Sequence, residues 1–239
     1  MTIDNNVNTI IFDLDGTLID SSAGIIAAMK ASFASVGQAP IKPLSSSIIG
    51  PPLHETLVLL AGTADSGLID ALKANFKMHY DQECYKQTTA FSGISEMLAE
   101  LAAHKITLYI ATNKRIKPTR LILSYFGWSD FFSAVYALDS VHPVAMNKGA
   151  LLRRVISENN IDLARSVYIG DRNDDQVAAE ANALKFAMAS WGYEAAPKPN
   201  SSDFIDENVR GDYISLSSPE KLTSFYTGSD NFGLSVGRS

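Results

Sequence analysis

Apolar residues along this chain fall into two alternating patterns. Short runs rich in β-branched and aromatic residues recur at 9–12, 106–111, 134–137, 166–169, 185–189 and 213–216. Between most of them the apolar positions return every three or four residues, which predicts helices over 93–104, 117–126, 148–159 and 174–182. Strands alternating with helices in this way predict βαβ units, and so an α/β chain built on a mostly parallel sheet.

Residues 20–90 break the alternation. No strand pattern is visible there, and the stretch is far too long for one crossover helix. Helical spacing instead marks 22–36, 54–60 and 66–85, interrupted by Gln38-Ala-Pro-Ile-Lys-Pro and by Gly50-Pro51-Pro52. The expected arrangement is a small all-helical domain inserted after the first strand, with Ser21 or Ser22 capping its first helix. Hung there, it would cover whatever lies at the end of that strand.

What lies there is acidic. The run Thr9-Ile-Ile-Phe-Asp13-Leu-Asp15-Gly16-Thr17-Leu18 turns abruptly from an apolar strand into two carboxylates and a glycine. In an open parallel sheet, ligands bind beyond the carboxyl ends of the strands, so Asp13 and Asp15 are expected to project into a site. Paired carboxylates repel each other and call for a cation, and an oxygen-rich set of this kind suits Mg²⁺. A solvated acidic turn is the alternative reading of a bare Asp-x-Asp.

Later strands end in further chemistry. Thr112-Asn113 closes one and precedes a helix, which suits either phosphate oxygens or an ordinary helix cap. Lys148 opens a helix, where its charge opposes the helix dipole and so serves no capping purpose. The stretch Gly170-Asp171-Arg172-Asn173-Asp174-Asp175 turns from a strand into a helix, with Asp171 at the strand end and Asp175 on the same side. Asp174 is read as a solvent-facing residue of the helix start.

Together these segments resemble the haloacid dehalogenase-like hydrolases, whose motifs are DxDGTL, a strand-end Thr or Ser, a Lys, and GDxxxD. All four occur in order. Further likenesses, at Ile49-Gly50-Pro51-Pro52-Leu53, Trp191-Gly192-Tyr193 and Ser218-Pro219-Glu220-Lys221-Leu222, point to the phosphoglycolate phosphatase-like branch. The resemblance implies a Rossmann-like core over 1–19 and 91–226 and a helical cap domain over 20–90, with a loose tail over 227–239. It implies a Mg²⁺-dependent phosphatase acting on small phosphate monoesters through an aspartyl-phosphate. Asp13 would be the nucleophile and Asp15 the general acid/base. Thr112, Asn113 and Lys148 would bind phosphate, and Asp13, Asp171, Asp175 and the Asp15 backbone carbonyl would serve the metal. The family often has Lys-Pro at its third motif whereas this chain has Lys148-Gly149, which leaves Lys114 as a rival.

Substrate choice is expected from the cap, through Gly50, Pro51 and His54, with Lys42 and His54 as candidate cations for a substrate carboxylate. A 5′-nucleotidase, a broad-specificity phosphatase and a phosphomutase share these motifs. A dehalogenase would lack Asp15, and a non-catalytic relative should have lost a motif residue.

Composition narrows the setting. Of 239 residues, 26 are acidic and 20 basic, for a net charge of −6. The single basic cluster, around Lys114, Arg115, Lys117 and Arg120, is too small for a nucleic-acid footprint. One cysteine, Cys84, excludes an internal disulfide. The amino-terminal stretch lacks the charged and apolar regions of a signal peptide, and no apolar run is long enough to span a membrane. These features predict a cytoplasmic protein, monomeric or homodimeric, whose partner is a small phosphorylated metabolite rather than a nucleic acid or a membrane.

Overall fold

The computed structural model describes residues 7–193 and 213–227. In chain order its elements are β1 (Thr9–Phe12), β2 (Ile19–Asp20), α1 (Ser22–Ser35), α2 (Leu53–Ala61), α3 (Ser66–Gln82), β3 (Thr89–Ala90), α4 (Ile94–Ala103) and β4 (Thr107–Thr112). There follow α5 (Ile116–Phe126), β5 (Ala134–Ala137), α6 (Lys148–Glu158), β6 (Ser166–Gly170), α7 (Asn173–Glu180), β7 (Lys185–Ala189), β8 (Ile214–Leu216) and α8 (Pro219–Thr227). The tail expected over 227–239 falls, but for the last residue of α8, outside the described residues.

Six strands form one sheet in the order β5-β4-β1-β6-β7-β8, and every neighbouring pair is parallel. Such strands are buried on both faces, which is why β1 reads as an unbroken apolar run rather than an alternation. The pleat still sorts its side chains. Ile10 and Phe12 join Leu108, Ile110, Val167 and Ile169 on one face. Ile11 joins Tyr109, Tyr168, Leu151 and Val155 on the other. After β1 the chain builds outward through β4 and β5, then returns to the opposite side of β1 for β6. The strand order therefore reverses at β1, where such sheets open a crevice beyond the strand ends.

Helices α1, α2 and α3 form a separate layer around their own apolar cluster, which includes Phe33, Leu57, Leu60 and Leu72. Fully burying a leucine side chain of this kind contributes roughly 1.5–3 kcal/mol. Where this insert leaves and rejoins the sheet layer, β2 and β3 pair antiparallel, with Ile19 opposite Ala90 and Asp20 opposite Thr89. The sequence pattern predicts no strand at these positions, and the two-residue ladder corrects it. Ser21 is corrected too. It sits at the N-cap position of α1 without a capping hydrogen bond, because its hydroxyl donates to Asp15. Asp20 supplies the cap-like contact instead, its Oδ1 accepting from the Ser22 N–H at 2.9 Å. Among the described residues, no helix is long and apolar enough to cross a membrane.

Candidate active site

Asp13 follows β1 directly, and its N–H donates to the Ile169 carbonyl at 2.8 Å, so the β1–β6 ladder fixes where its side chain emerges. Asp171 and Asp175 come from the end of β6 and the first turn of α7, and both are fully buried. Carboxylate oxygens of these three residues lie within 4.8 Å of one another. Lys148, the first residue of α6, is only 6% exposed and reaches into the same cluster. Its Nζ stands 2.9 Å from Asp13 Oδ1 and 2.5 Å from Asp175 Oδ1. Asp175 is further held by the Tyr168 hydroxyl at 3.0 Å and by the Arg172 N–H at 3.1 Å. Those contacts suit Asp175 to positioning Lys148.

The charge balance is uneven, with three buried carboxylates around one ammonium. Burial pushes the Asp13 carboxyl up to about 8; Lys148 opposes that rise while Asp175 and Asp171 add to it. Asp171 is pushed up to about 6, by burial first and then by Asp175. Burial works against the charge on Lys148, but Asp13 and Asp175 outweigh it and hold the ammonium protonated. Three buried carboxylates sharing the Lys148 ammonium leave negative charge uncompensated, and a crowded all-oxygen set of this kind fits a small hard dication such as Mg²⁺. The Asp15 carboxylate does not join this set, so only the backbone carbonyl of Asp15 could serve a metal there.

Asp15 faces the other way. Its two oxygens accept from Lys114 Nζ at 2.9 and 3.1 Å, and Oδ1 also accepts from the Ser21 hydroxyl. Thus both rival lysines are in the site, with Lys148 on Asp13 and Asp175 and Lys114 on Asp15. Thr112 closes β4 with its side chain buried, and its Oγ1 accepts from the Lys114 N–H at 3.1 Å. The Asn113 amide donates to the Gly50 carbonyl of the insert at 2.9 Å, which makes it a bridge between layers. Asp174 is exposed, as its spacing predicts.

Between Asp15 and the insert lies a pocket with about 590 Å³ of open space, its mouth included, lined in part by Gly50 and Pro51. His54 and Lys42 are not among its lining residues and are exposed. Neither stands against this pocket: the helical turn that starts α2 leaves His54 exposed, and Lys42 lies on an exposed stretch. Lys114 and Arg115 are the cations that line the pocket.

Tyr193 and Ser21 gain a role that their spacing did not reveal. The Tyr193 N–H donates to Asp171 Oδ2 at 2.8 Å, while its hydroxyl donates to Asp20 Oδ1 and accepts from the Ser21 N–H, each at 2.9 Å. One residue thereby ties the acidic cluster to the strand where the insert begins. The Trp191-Gly192-Tyr193 likeness was the available signal. Gly16 is the second device. It adopts φ +90°, and a Cβ added there would stand 2.3 Å from Asp171 Oδ2. Gly16→Ala is therefore expected to displace Asp171 and weaken Mg²⁺ binding by about tenfold or more. Titration calorimetry with Mg²⁺ measures this, and unchanged affinity would mean that Asp171 is not held by this contact.

Comparisons with known proteins agree with this geometry. The model of the haloacid dehalogenase-like hydrolase family matches residues 10–189. Phosphoglycolate phosphatase from Cereibacter sphaeroides is 32% identical over 193 residues, covering 79% of this chain and 87% of that protein. Tyrosine-protein kinase PtkA from Mycobacterium tuberculosis is also 32% identical, over 200 residues and 83% of this chain; the chain spans 65% of that relative's length. The crystal structure of a predicted phosphatase from Clostridium acetobutylicum superposes with a TM-score of 0.75 at 25% identity, covering 93% of this chain and 99% of that one. The match over most of the sheet, set beside the four acids and two lysines gathered at its carboxyl edge, places the chain among the haloacid dehalogenase-like hydrolases.

Proposed function

We propose that this protein hydrolyses small phosphate monoesters with the aid of Mg²⁺. One observation supports this above the rest: the two acids of the first loop face different partners. Asp13 stands in the carboxylate–lysine cluster, whereas Asp15 lines the pocket beside it. Hydrolysis of a phosphate ester needs that division, with a nucleophile among charges that hold phosphoryl oxygens and an acid beside the departing alcohol.

Asp13, Asp171 and Asp175, with the Asp15 backbone carbonyl, are the groups that would hold Mg²⁺. The ion, when bound, offsets negative charge on the carboxylates and on the phosphoryl oxygens. Lys148 and Thr112 take further phosphoryl oxygens. The Asp13 carboxylate forms a bond to phosphorus as the ester P–O bond breaks, and Asp15 gives its proton to the leaving alkoxide. Asp15 then takes a proton from water as that water attacks phosphorus, releasing phosphate and restoring Asp13. Lys114, paired with Asp15, steadies its carboxylate between those two steps. Residues 20–90 act as a cap domain over the core formed by the described residues of 1–19 and 91–226, and supply most of the pocket wall.

Turnover of para-nitrophenyl phosphate should vanish in chelator, return with Mg²⁺ and fall with Ca²⁺, whose larger and looser shell spoils in-line geometry. Because Asp13 and Asp171 hold protons up to about 8 and about 6, binding the ion must release them. Mg²⁺ affinity should therefore rise from pH 6 to pH 8, measured by calorimetry without substrate. Full activity in excess chelator would refute the metal assignment, and affinity flat with pH would show that Asp13 and Asp171 are ionised before the ion binds.

The relative named a tyrosine-protein kinase supports a second reading, phosphoryl transfer to a protein tyrosine. Incubation with ATP and a tyrosine-containing protein separates the two. Phosphotyrosine formation without monoester hydrolysis would favour the kinase reading.

A further inference from the structure

We infer that the pocket beside Asp15 selects phosphate esters of alcohols with an apolar or aromatic body and disfavours those with a second anionic group. This inference rests on the phosphatase reading and narrows it.

The walls of the pocket are mainly hydrocarbon. Ile25 and Met29 come from α1, Phe76 and Tyr80 from α3, and Ile49 and Leu53 from the segment around Gly50. The Phe76 and Tyr80 rings stack with centroids 5.4 Å apart and planes 9° from parallel, which stiffens this aromatic wall. Lys114 Nζ lies 4.7 Å from the Tyr80 centroid, so the ring is already engaged by the cation that faces Asp15.

The other polar groups argue the same way, apart from the Tyr80 hydroxyl, which is buried without a hydrogen-bond partner. A substrate carboxylate would need an uncommitted cation or donor, since desolvating an anion without a partner is costly. Both cations lining the pocket are committed: Lys114 pairs with Asp15, and Arg115 is held by both oxygens of Asp81. The Thr56 hydroxyl donates to the Pro52 carbonyl at 3.4 Å. Asn113 gives its amide to Gly50 and leaves a buried Oδ1 without a hydrogen bond. That oxygen repels a carboxylate and accepts from a hydroxyl. A second anion would thus meet the Asn113 acceptor, whereas an alkyl or aryl group would meet matching surface.

The test compares kcat/KM for 2-phenylethyl phosphate and 2-phosphoglycolate with Mg²⁺ present. Their leaving alkoxides are of comparable basicity, so the ratio reports the pocket rather than the bond. Burying a phenyl ring against apolar walls should favour the first by about 30-fold. Ile25→Lys, at a half-buried position, should bring the ratio down by at least about tenfold by adding an unpaired cation. Binding of 2-phenylethylphosphonate and phosphonoacetate is measured in parallel by calorimetry, independently of turnover. Equal or better use of phosphoglycolate would overturn the inference and leave the phosphatase reading standing. Turnover of neither ester, with the phenyl phosphonate bound preferentially, would overturn the phosphatase reading and leave the pocket's preference. Neither turnover nor that preference would remove both.

Discussion

Asp13→Asn should lower kcat by about 10⁴-fold or more, because an amide cannot serve as the nucleophile and no other carboxylate in the cluster is placed to replace it. The substitution keeps the shape of a buried side chain and removes one of three mutually repelling carboxyls. The variant should therefore melt within a few degrees of the parent in chelator. Phosphoenzyme, trapped by rapid acid quench, should be absent. The companion Asp15→Asn should accumulate it when the leaving group is good, since attack survives and water activation does not. Activity of Asp13→Asn above about a hundredth of the parent's would remove Asp13 from the nucleophile's place.

Lys148→Met should be strongly destabilising. The ammonium is the cation paired with Asp13 and Asp175, and methionine fills a similar volume without charge. Leaving buried carboxylates without their partner costs about 3–5 kcal/mol, or roughly a 10 °C fall in melting temperature for a chain of this size. Saturating Mg²⁺ should restore part of that loss, because it brings positive charge to the same oxygens. kcat should remain about 10²–10³-fold low even then, as the phosphoryl oxygens have lost a donor. Lys114→Met should destabilise less, since it unpairs one carboxylate at the pocket edge rather than two in the cluster. A melting temperature of Lys148→Met indistinguishable from the parent's in chelator would show that another group balances the cluster.

Much of this architecture is legible in residue order because its signals are local. The run before Asp13 must be a buried strand, and each later strand end is announced by a break from apolar to polar. The sheet strands fall within a residue or so of their expected places. The pairing of β2 with β3 leaves no such trace. Two residues cannot show a period, and Ile19 meets Ala90 only once the intervening helices have folded back. The site divides in the same way. Asp13, Asp171, Asp175 and Lys148 were legible from strand-end position and motif order. Nothing along the chain could say which lysine faces which aspartate, because Lys114 and Lys148 both stand near strand or helix ends. His54 and Lys42 looked suitable through nearness to Gly50 in sequence, yet a helical turn carries one outward and an exposed stretch holds the other. Ile25, Met29 and Phe76 carry the period of ordinary helix cores, and hydropathy alone does not separate a core face from the wall of a pocket.

The segment around Gly50 is pinned from below by residues adjoining the chemistry. Asn113, next to Thr112, donates to the Gly50 carbonyl, and Arg172, next to Asp171, donates to the Ile49 carbonyl at 2.9 Å. Gly50 adopts φ +119°, and a Cβ there would stand 2.6 Å from the Arg172 side chain. If this segment chooses the alcohol, selectivity and catalytic rate are expected to change together. A drift in residues 46–54 that suits a new alcohol must also suit Asn113 and Arg172, so permissive changes at those two positions should precede any switch of substrate. Directed evolution of the segment alone would be expected to stall, and libraries that vary it together with 113 and 172 to escape that epistasis.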